Sequence, residues 1–277
     1  MAETGTISVS AEILFPIIKK ALYSEHDIFL RELVSNAADA ITKHNRLVLM
    51  GDSVHKDILP EIRLIVDEKE KTLTIKDNGL GMSGAEVKKY INEVAFSSAN
   101  DFAKLFSDKN DQNRIIGHFG LGFYSAFMVA SQVEIKTKSF RKEDAAVRWF
   151  CDGSIEFTLE DIVKEDVGTE IILHIDKDSK EFLNTYTLKE TVKKYCRFFP
   201  YKIFIGEEQV NVDNPIFART ASDVKDEEYK EFYKDLYPYE KEPLFWIHLN
   251  FLNFKIFVIQ CYKSYLLIIK LLKPSIY

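Results

Sequence analysis

The chain has 277 residues, 46% of them hydrophobic and 29% charged, with a formal net charge of -6. That is enough apolar material for one large domain, or for one domain and part of another, and it argues against global disorder. The acidic balance argues against a nucleic-acid partner. Cys151, Cys196 and Cys261 form no CxxC pair and the six histidines no HExxH, so neither a structural zinc nor a disulfide framework is expected. Met1 to Ser10 has neither a basic start nor an apolar run. No signal peptide is expected, and the reading is a cytoplasmic protein.

In chain order, Thr4 to Val9 alternates as a short strand. Ala11 to Tyr23 reads as an amphipathic helix with Pro16 in its first turns. The next helix, starting at Ile28, carries two stripes. Leu30, Leu33, Val34, Ala37 and Ile41 form an apolar one, and Glu32, Asn36, Asp39 and Lys43 a polar one, fading near Asn45. On an isolated surface helix the polar stripe would simply meet water. Glu61 to Asp67 and Lys71 to Asp77 read as two strands of a hairpin. The second ends on an acid followed at once by Asn78-Gly79-Leu80-Gly81, where glycine permits a tight turn and the approach of a flat ligand.

Ser83 to Ala95 has mixed helical character, and 97–117 is a polar run that reads either as a surface excursion or as a lid. Gly117 to Phe123 has the form GxxGxG and leads into a predicted helix at Tyr124 to Ala130. Glycines opening a helix expose N–H groups, a favourable seat for phosphate. No GK[ST] follows, so this is not a Walker loop. Strands are predicted at Val133 to Lys138, Val147 to Cys151, Ser154 to Leu159, Thr169 to Ile175 and Tyr201 to Ile205, with a helix at Leu188 to Phe198. The pattern is α+β, with one layer of helices on one face of a mixed sheet.

From Gly206 the character changes. Residues 206–226 read as a linker, Glu227 to Leu236 as a charged helix, and Pro243 to Asn250 as a strand of a second domain begun at 227. The stretch 251–277 is rich in Phe, Ile, Leu, Lys and Tyr and has no acid. Lysines interrupt it, so it offers no membrane span. It reads as an atypical tail, frameshifted or truncated.

The motifs FLRELVSNAADA (29–40), DNGLGM (77–82), GHFGLGFYSAFMV (117–129) and GTEIILHI (168–175) resemble the N-terminal ATPase domain of the ninety-kilodalton heat-shock protein chaperones, the bacterial branch above all. The resemblance covers about residues 4–250, and NPIFARTASDV and EEYKEFYKDL resemble the start of that family's middle domain. It implies the GHKL (Bergerat) ATPase fold, a two-layer α/β sandwich on a mixed, mostly antiparallel sheet. That fold is shared with DNA gyrase B, MutL and sensor histidine kinases. Residues 1–205 would be the ATP-binding domain.

The resemblance also implies roles. Glu32 would be the general base, and Asn36 the ligand of Mg²⁺ beside the phosphates of ATP or ADP. Asp77 would accept from the adenine amino group and reject guanine, with Gly81 and Met82 lining the base pocket and Thr169 holding the base. Asp39 and Lys43 would lie near the sugar-phosphate end. Gly117, Gly120, Gly122 and Phe123 would cradle the phosphates and hinge the lid, and Thr4 to Val9 would exchange between protomers. Partners would be unfolded or partly folded clients and a second copy in the complete protein, with no nucleic acid and no membrane.

Two departures qualify this. Phe96 stands in VAFSSA (94–99) where the family often has a lysine, and the arginine that the family's middle domain supplies would lie beyond Asn250. The expectation is therefore binding of ATP and ADP with weak hydrolysis. The alternatives are a GHKL ATPase acting on DNA and an inactive nucleotide-binding fragment.

Overall fold

The structure, a computed structural model, describes residues 25–51, 59–92, 122–154, 156–243, 245–251, 254–260 and 266–272. The predicted strand at 4–9, the helix at 11–23 and the polar run at 97–117 lie outside these residues.

The organising helix is α1 (Ile28–Met50). It runs past Asn45, where the polar stripe fades, to the expected turn at Gly51, which closes it in the left-handed conformation at φ 84°. Its apolar stripe is fully buried, and so are Asp39 and Lys43 on the polar stripe. The helix is therefore packed on both sides.

Strands β1 (Glu61–Asp67), β2 (Thr72–Asp77), β3 (Ala130–Lys138), β4 (Ala146–Cys151), β5 (Thr158–Ile162), β6 (Gly168–Ile175), β7 (Lys202–Ile205) and β8 (Glu208–Gln209) form one sheet. Their order is β5-β4-β3-β6-β2-β1-β7-β8. All neighbours pair antiparallel except β1 and β7, which run parallel. The mixed, mostly antiparallel sheet is the expected one. Helices α2 (Gly84–Tyr90) and α3 (Thr185–Tyr195) complete the helical layer with α1.

Boundaries differ where local pattern is weak. The predicted helix at 124–130 is a 3-10 turn, Gly122–Met128, running almost directly into β3. All of Phe123 to Met128 are buried, so no polar face marks a helical period. Strand β5 lies at 158–162 rather than 154–159. It is an edge strand without a buried position, and its alternation is correspondingly faint. The helix predicted at 188–198 starts three residues earlier, capped by Asn184, whose Oδ1 accepts the Tyr186 N–H at 2.8 Å.

The register lines up three inward-facing rows on the helical side of the sheet. Leu64, Ile75, Ile171, Ile135 and Trp149 make one, and Val66, Leu73, Leu173, Val133 and Cys151 another. Both are apolar. The third, nearest the β2–α2 loop, runs Ile62, Asp77, Thr169, Thr137, Val147. Its three central members are polar, yet each is 6% exposed or less.

Among the described residues, 198–200, 212–243, 245–251, 254–260 and 266–272 form a second compact unit. It holds helix α4 (Asp226–Leu236) and a three-stranded antiparallel sheet of β9 (Phe245–Phe251), β10 (Phe254–Gln260) and β11 (Leu266–Leu272). Its core is Ile216, Phe217, Val224, Tyr229 and Tyr233, with Tyr229 stacked on Trp246 at 5.2 Å. The stretch from 251 onward, read from sequence as an atypical tail, thus contributes two strands here.

Candidate functional site

The polar row sets the floor of the site. Asp77 ends β2, and its Oδ1 accepts the Gly79 N–H at 2.8 Å. The Thr169 backbone N–H also bonds the carboxylate. Burial nevertheless dominates and pushes the Asp77 pKa up to about 7, with the two N–H donors and Lys164 pulling it down. Beside Asp77, the Thr169 hydroxyl lies 3.0 Å from that of Thr137, which also accepts the Met82 N–H at 2.9 Å. Thr137 is a member of the site that sequence reading missed. Its signal was its phase, two residues after Ile135 and four after Val133 on the inward face.

The glycines of the loop 77–82 act through close approach. A Cβ on Gly79 would stand 2.6 Å from the Ala40 carbonyl carbon of α1, and one on Gly81 would stand 1.8 Å from the Lys138 carbonyl oxygen. Gly168, at φ +118°, brings β6 within 2.3 Å of the Asp77 carbonyl oxygen by the same measure. The loop is wedged between α1 and the end of β3, so Asp77, Gly81 and Met82 are fixed relative to the helix.

Along α1, Glu32 and Asn36 are half-buried one turn apart on one side of the helix. Glu32 Oε1 takes Arg31 Nη2 at 2.6 Å, and its other oxygen, Oε2, lies against Gly122 at the start of the 3-10 turn. Asp39 and Lys43 are buried farther along; burial pushes the Lys43 pKa down, and the Asp39 carboxylate opposes that. Phe123 faces the aromatic core, edge-on to Trp149 at 5.6 Å. The structure thus ties the loop holding Asp77, Gly81 and Met82 to α1, seats Gly122 against Glu32, and sets Thr169 beside Asp77. Gly117 and Gly120 lie outside the described residues. Among the described residues no cluster of three His, Cys, Asp or Glu could hold a metal ion, and no helix is long and apolar enough to cross a membrane.

A helical layer over a mixed sheet, with a buried polar row opened by glycine turns at one end, is the architecture of a GHKL ATPase domain. Residues 23–181 match the family described as histidine kinase-, DNA gyrase B- and HSP90-like ATPase, and residues 204–256 match Hsp90 protein. The chain belongs to the first of these families, whose match covers more than half of it.

Among its relatives, the chaperone protein HtpG of Bacteroides thetaiotaomicron is 50% identical over 263 residues, covering 90% of this chain and 38% of that protein. HtpG of Porphyromonas gingivalis is 46% identical over 265 residues, covering 90% and 38%. HtpG of Aliivibrio fischeri is 39% identical over 263 residues, covering 89% and 42%. The chain therefore spans about two fifths of the length of these relatives.

Proposed function

We propose that this chain is the ATP-binding part of an ATP-dependent protein-folding chaperone, working on unfolded or partly folded clients in the cytoplasm and pairing with a second copy. Residues 1–205 would carry the nucleotide site and 227–250 the start of the next domain. The expected linker 206–226 is instead shared between them, β8 ending the first sheet and Ile216, Phe217 and Val224 packing in the second unit's core. The names of the relatives support the chaperone role, and the buried polar row carries the nucleotide reading. A carboxylate held by two backbone N–H groups keeps acceptor capacity for a ligand amino group, and a site of that kind discriminates strongly against a ligand lacking it. Guanine presents a carbonyl at that position and would leave two acceptors facing each other.

Glu32 is the residue placed to orient water against the terminal phosphate and take its proton. Its Oε1 is paired with Arg31 at 2.6 Å, which leaves Oε2 to act on water. Slow hydrolysis is the expectation, from Phe96 in place of the family's lysine and from the arginine expected beyond Asn250. Asn36 would hold Mg²⁺. A half-buried amide fits that ion, which keeps several waters and takes most of its remaining ligands from the nucleotide phosphates. When bound, the ion neutralises charge on those phosphates. Asp39 and Lys43 flank the sugar-phosphate end, and Gly122 with the Phe123 backbone approaches the phosphates.

The test is calorimetric titration of the chain with Mg-ADP, beside Asp77→Asn and a GDP control. Saturable ADP binding that the variant loses and GDP lacks is the expected result. A folded chain that binds no adenine nucleotide would overturn the reading.

A further inference from the structure

One member of the polar row has no role in the chemistry above. Thr137 is wholly buried, and its Oγ1 has three neighbours: Met82 N at 2.9 Å, Thr169 Oγ1 at 3.0 Å and Gly168 O at 3.3 Å. A threonine hydroxyl has one proton to give. The Met82 N–H takes one lone pair, so the Thr137 proton goes to Gly168 O or to Thr169 Oγ1. Bonds of the O–H···O type centre near 2.7–2.8 Å and weaken beyond about 3.0 Å, so Thr169 is the better-placed acceptor. Thr169 must then direct its own proton away from Thr137. Across the strands, Thr169 stands between Thr137 on one side and Asp77 on the other.

We propose that Thr137 sets the polarity of base recognition. By donating to Thr169 it makes Thr169 a donor beside the acceptor Asp77. An acceptor next to a donor complements the amidine edge of a 6-aminopurine, whose amino group donates and whose adjacent ring nitrogen accepts. A 6-oxopurine offers the reverse order and meets Asp77 with a carbonyl and Thr169 with an N–H. Thr137 touches no ligand in this scheme; it is a positioning residue. By holding the Met82 N–H it also ties the wall of the pocket to the same hydroxyl. The inference rests on the nucleotide reading above and names what sets its base selectivity.

The experiment is titration of the 277-residue chain with Mg-ADP and Mg-IDP, using wild type, Thr137→Val, Thr137→Ser, Thr169→Val and the double valine variant. Valine keeps the β-branched shape and removes the hydroxyl. Thr137→Val should weaken ADP about fivefold to tenfold, the worth of one hydrogen bond, and narrow the ADP-to-IDP ratio by a similar factor. Thr137→Ser should keep the wild-type ratio, and Thr137→Val should add nothing on the Thr169→Val background.

Equal weakening of both nucleotides, or a serine variant as poor as the valine one, would mean that packing matters and the hydroxyl does not, and would overturn the proposal. If Thr137→Val fails to fold, wild type decides with 1-deaza-ADP, which has a C–H in place of the ring acceptor. A similar fivefold to tenfold loss is expected, and binding equal to ADP overturns the proposal. Wild type binding no ADP would remove the nucleotide reading itself. Wild type binding ADP with an unmoved ratio in Thr137→Val would remove the role of Thr137 alone.

Discussion

The carboxylate of Glu32 occupies the space where a side chain on Gly122 would begin: a Cβ there would stand 2.6 Å from Glu32 Oε2 and 3.4 Å from Glu32 Cβ. The nearest atom is the far end of a flexible side chain, so Gly122→Ala should fold, with Glu32 pushed aside. A displacement of about 1 Å in a catalytic group can cost about 10²-fold in rate. Steady-state ATP hydrolysis should therefore drop toward the level of Glu32→Gln, by a larger factor than any loss of ADP affinity from the added methyl beside the phosphates. Unchanged turnover in Gly122→Ala would show that Glu32 is not the base or does not need this seat.

Asp77 should give the protein an inverted pH response. Its pKa in the folded chain is raised to about 7 from 3.8, so between these values the folded state holds a proton that the unfolded state has released. The stability contributed by the neutral form is complete below about pH 4 and is lost as pH rises through about 7. The slope is at most about 1.4 kcal/mol per pH unit. Asp77→Asn removes the titration, so the stability gap between variant and wild type should widen from pH 5 to pH 8 in favour of the variant. ADP affinity should move the other way, rising in wild type from pH 6 to pH 8 as the carboxylate ionises. Denaturant unfolding and calorimetry at those pH values check both halves. A gap that does not change with pH would mean that Asp77 is ionised throughout.

Much of this site was legible because its pieces are local. The two stripes of α1 come from spacing alone, and the acid at the end of β2 stands directly before its glycines. What escaped was long-range. Thr137 and Asp77 meet through Thr169 because β6 lies between β3 and β2, a register that no local pattern encodes. A threonine inside a strand is also unremarkable, since β-branched residues favour strands. The burial of Asp39 and Lys43 escaped for a related reason: a polar stripe spells water on an isolated helix, and what covers it lies elsewhere in the chain. The two-residue strand β8 is too short to carry any alternation.

Gly81 and Gly206 provide a matched pair. Both are left-handed, at φ 62° and 61°, but a Cβ on Gly206 would meet nothing within 4 Å while one on Gly81 would run into the Lys138 carbonyl. Gly206→Ala should cost about 1–2 kcal/mol, the conformational penalty alone. Gly81→Ala carries that penalty and must also move backbone, adding roughly 1–3 kcal/mol and loosening the loop that fixes Asp77. Urea unfolding should separate the two variants, and ADP binding should be lost in Gly81→Ala and intact in Gly206→Ala. Equal costs would mean that the loop can shift away from β3 freely.

Tyr124 joins positions 33 apart in the chain: its hydroxyl donates to the Ile91 carbonyl at 2.5 Å. Next to that bond, Trp149 Nε1 donates to Asn92 Oδ1 at 2.9 Å. Two aromatic donors thus fasten consecutive residues at the end of α2, and both rings lie edge-on to Phe123 at 5.6 Å. Burial pushes the Tyr124 phenol up to about 12, so it remains a donor throughout the neutral range, and its contribution should fade only between about pH 10 and 12. Tyr124→Phe keeps the ring and removes this donor from the Ile91 carbonyl, at a cost of about 1–2 kcal/mol. Trp149→Phe removes the second donor but also volume, and should cost more. Because the two bonds hold one short segment, their losses should not add: once either is gone the end of α2 frays, and the double variant should fall short of the sum. Thermal unfolding of the four proteins checks the cycle. Strict additivity would mean that Ile91 and Asn92 are held independently, by other parts of the core.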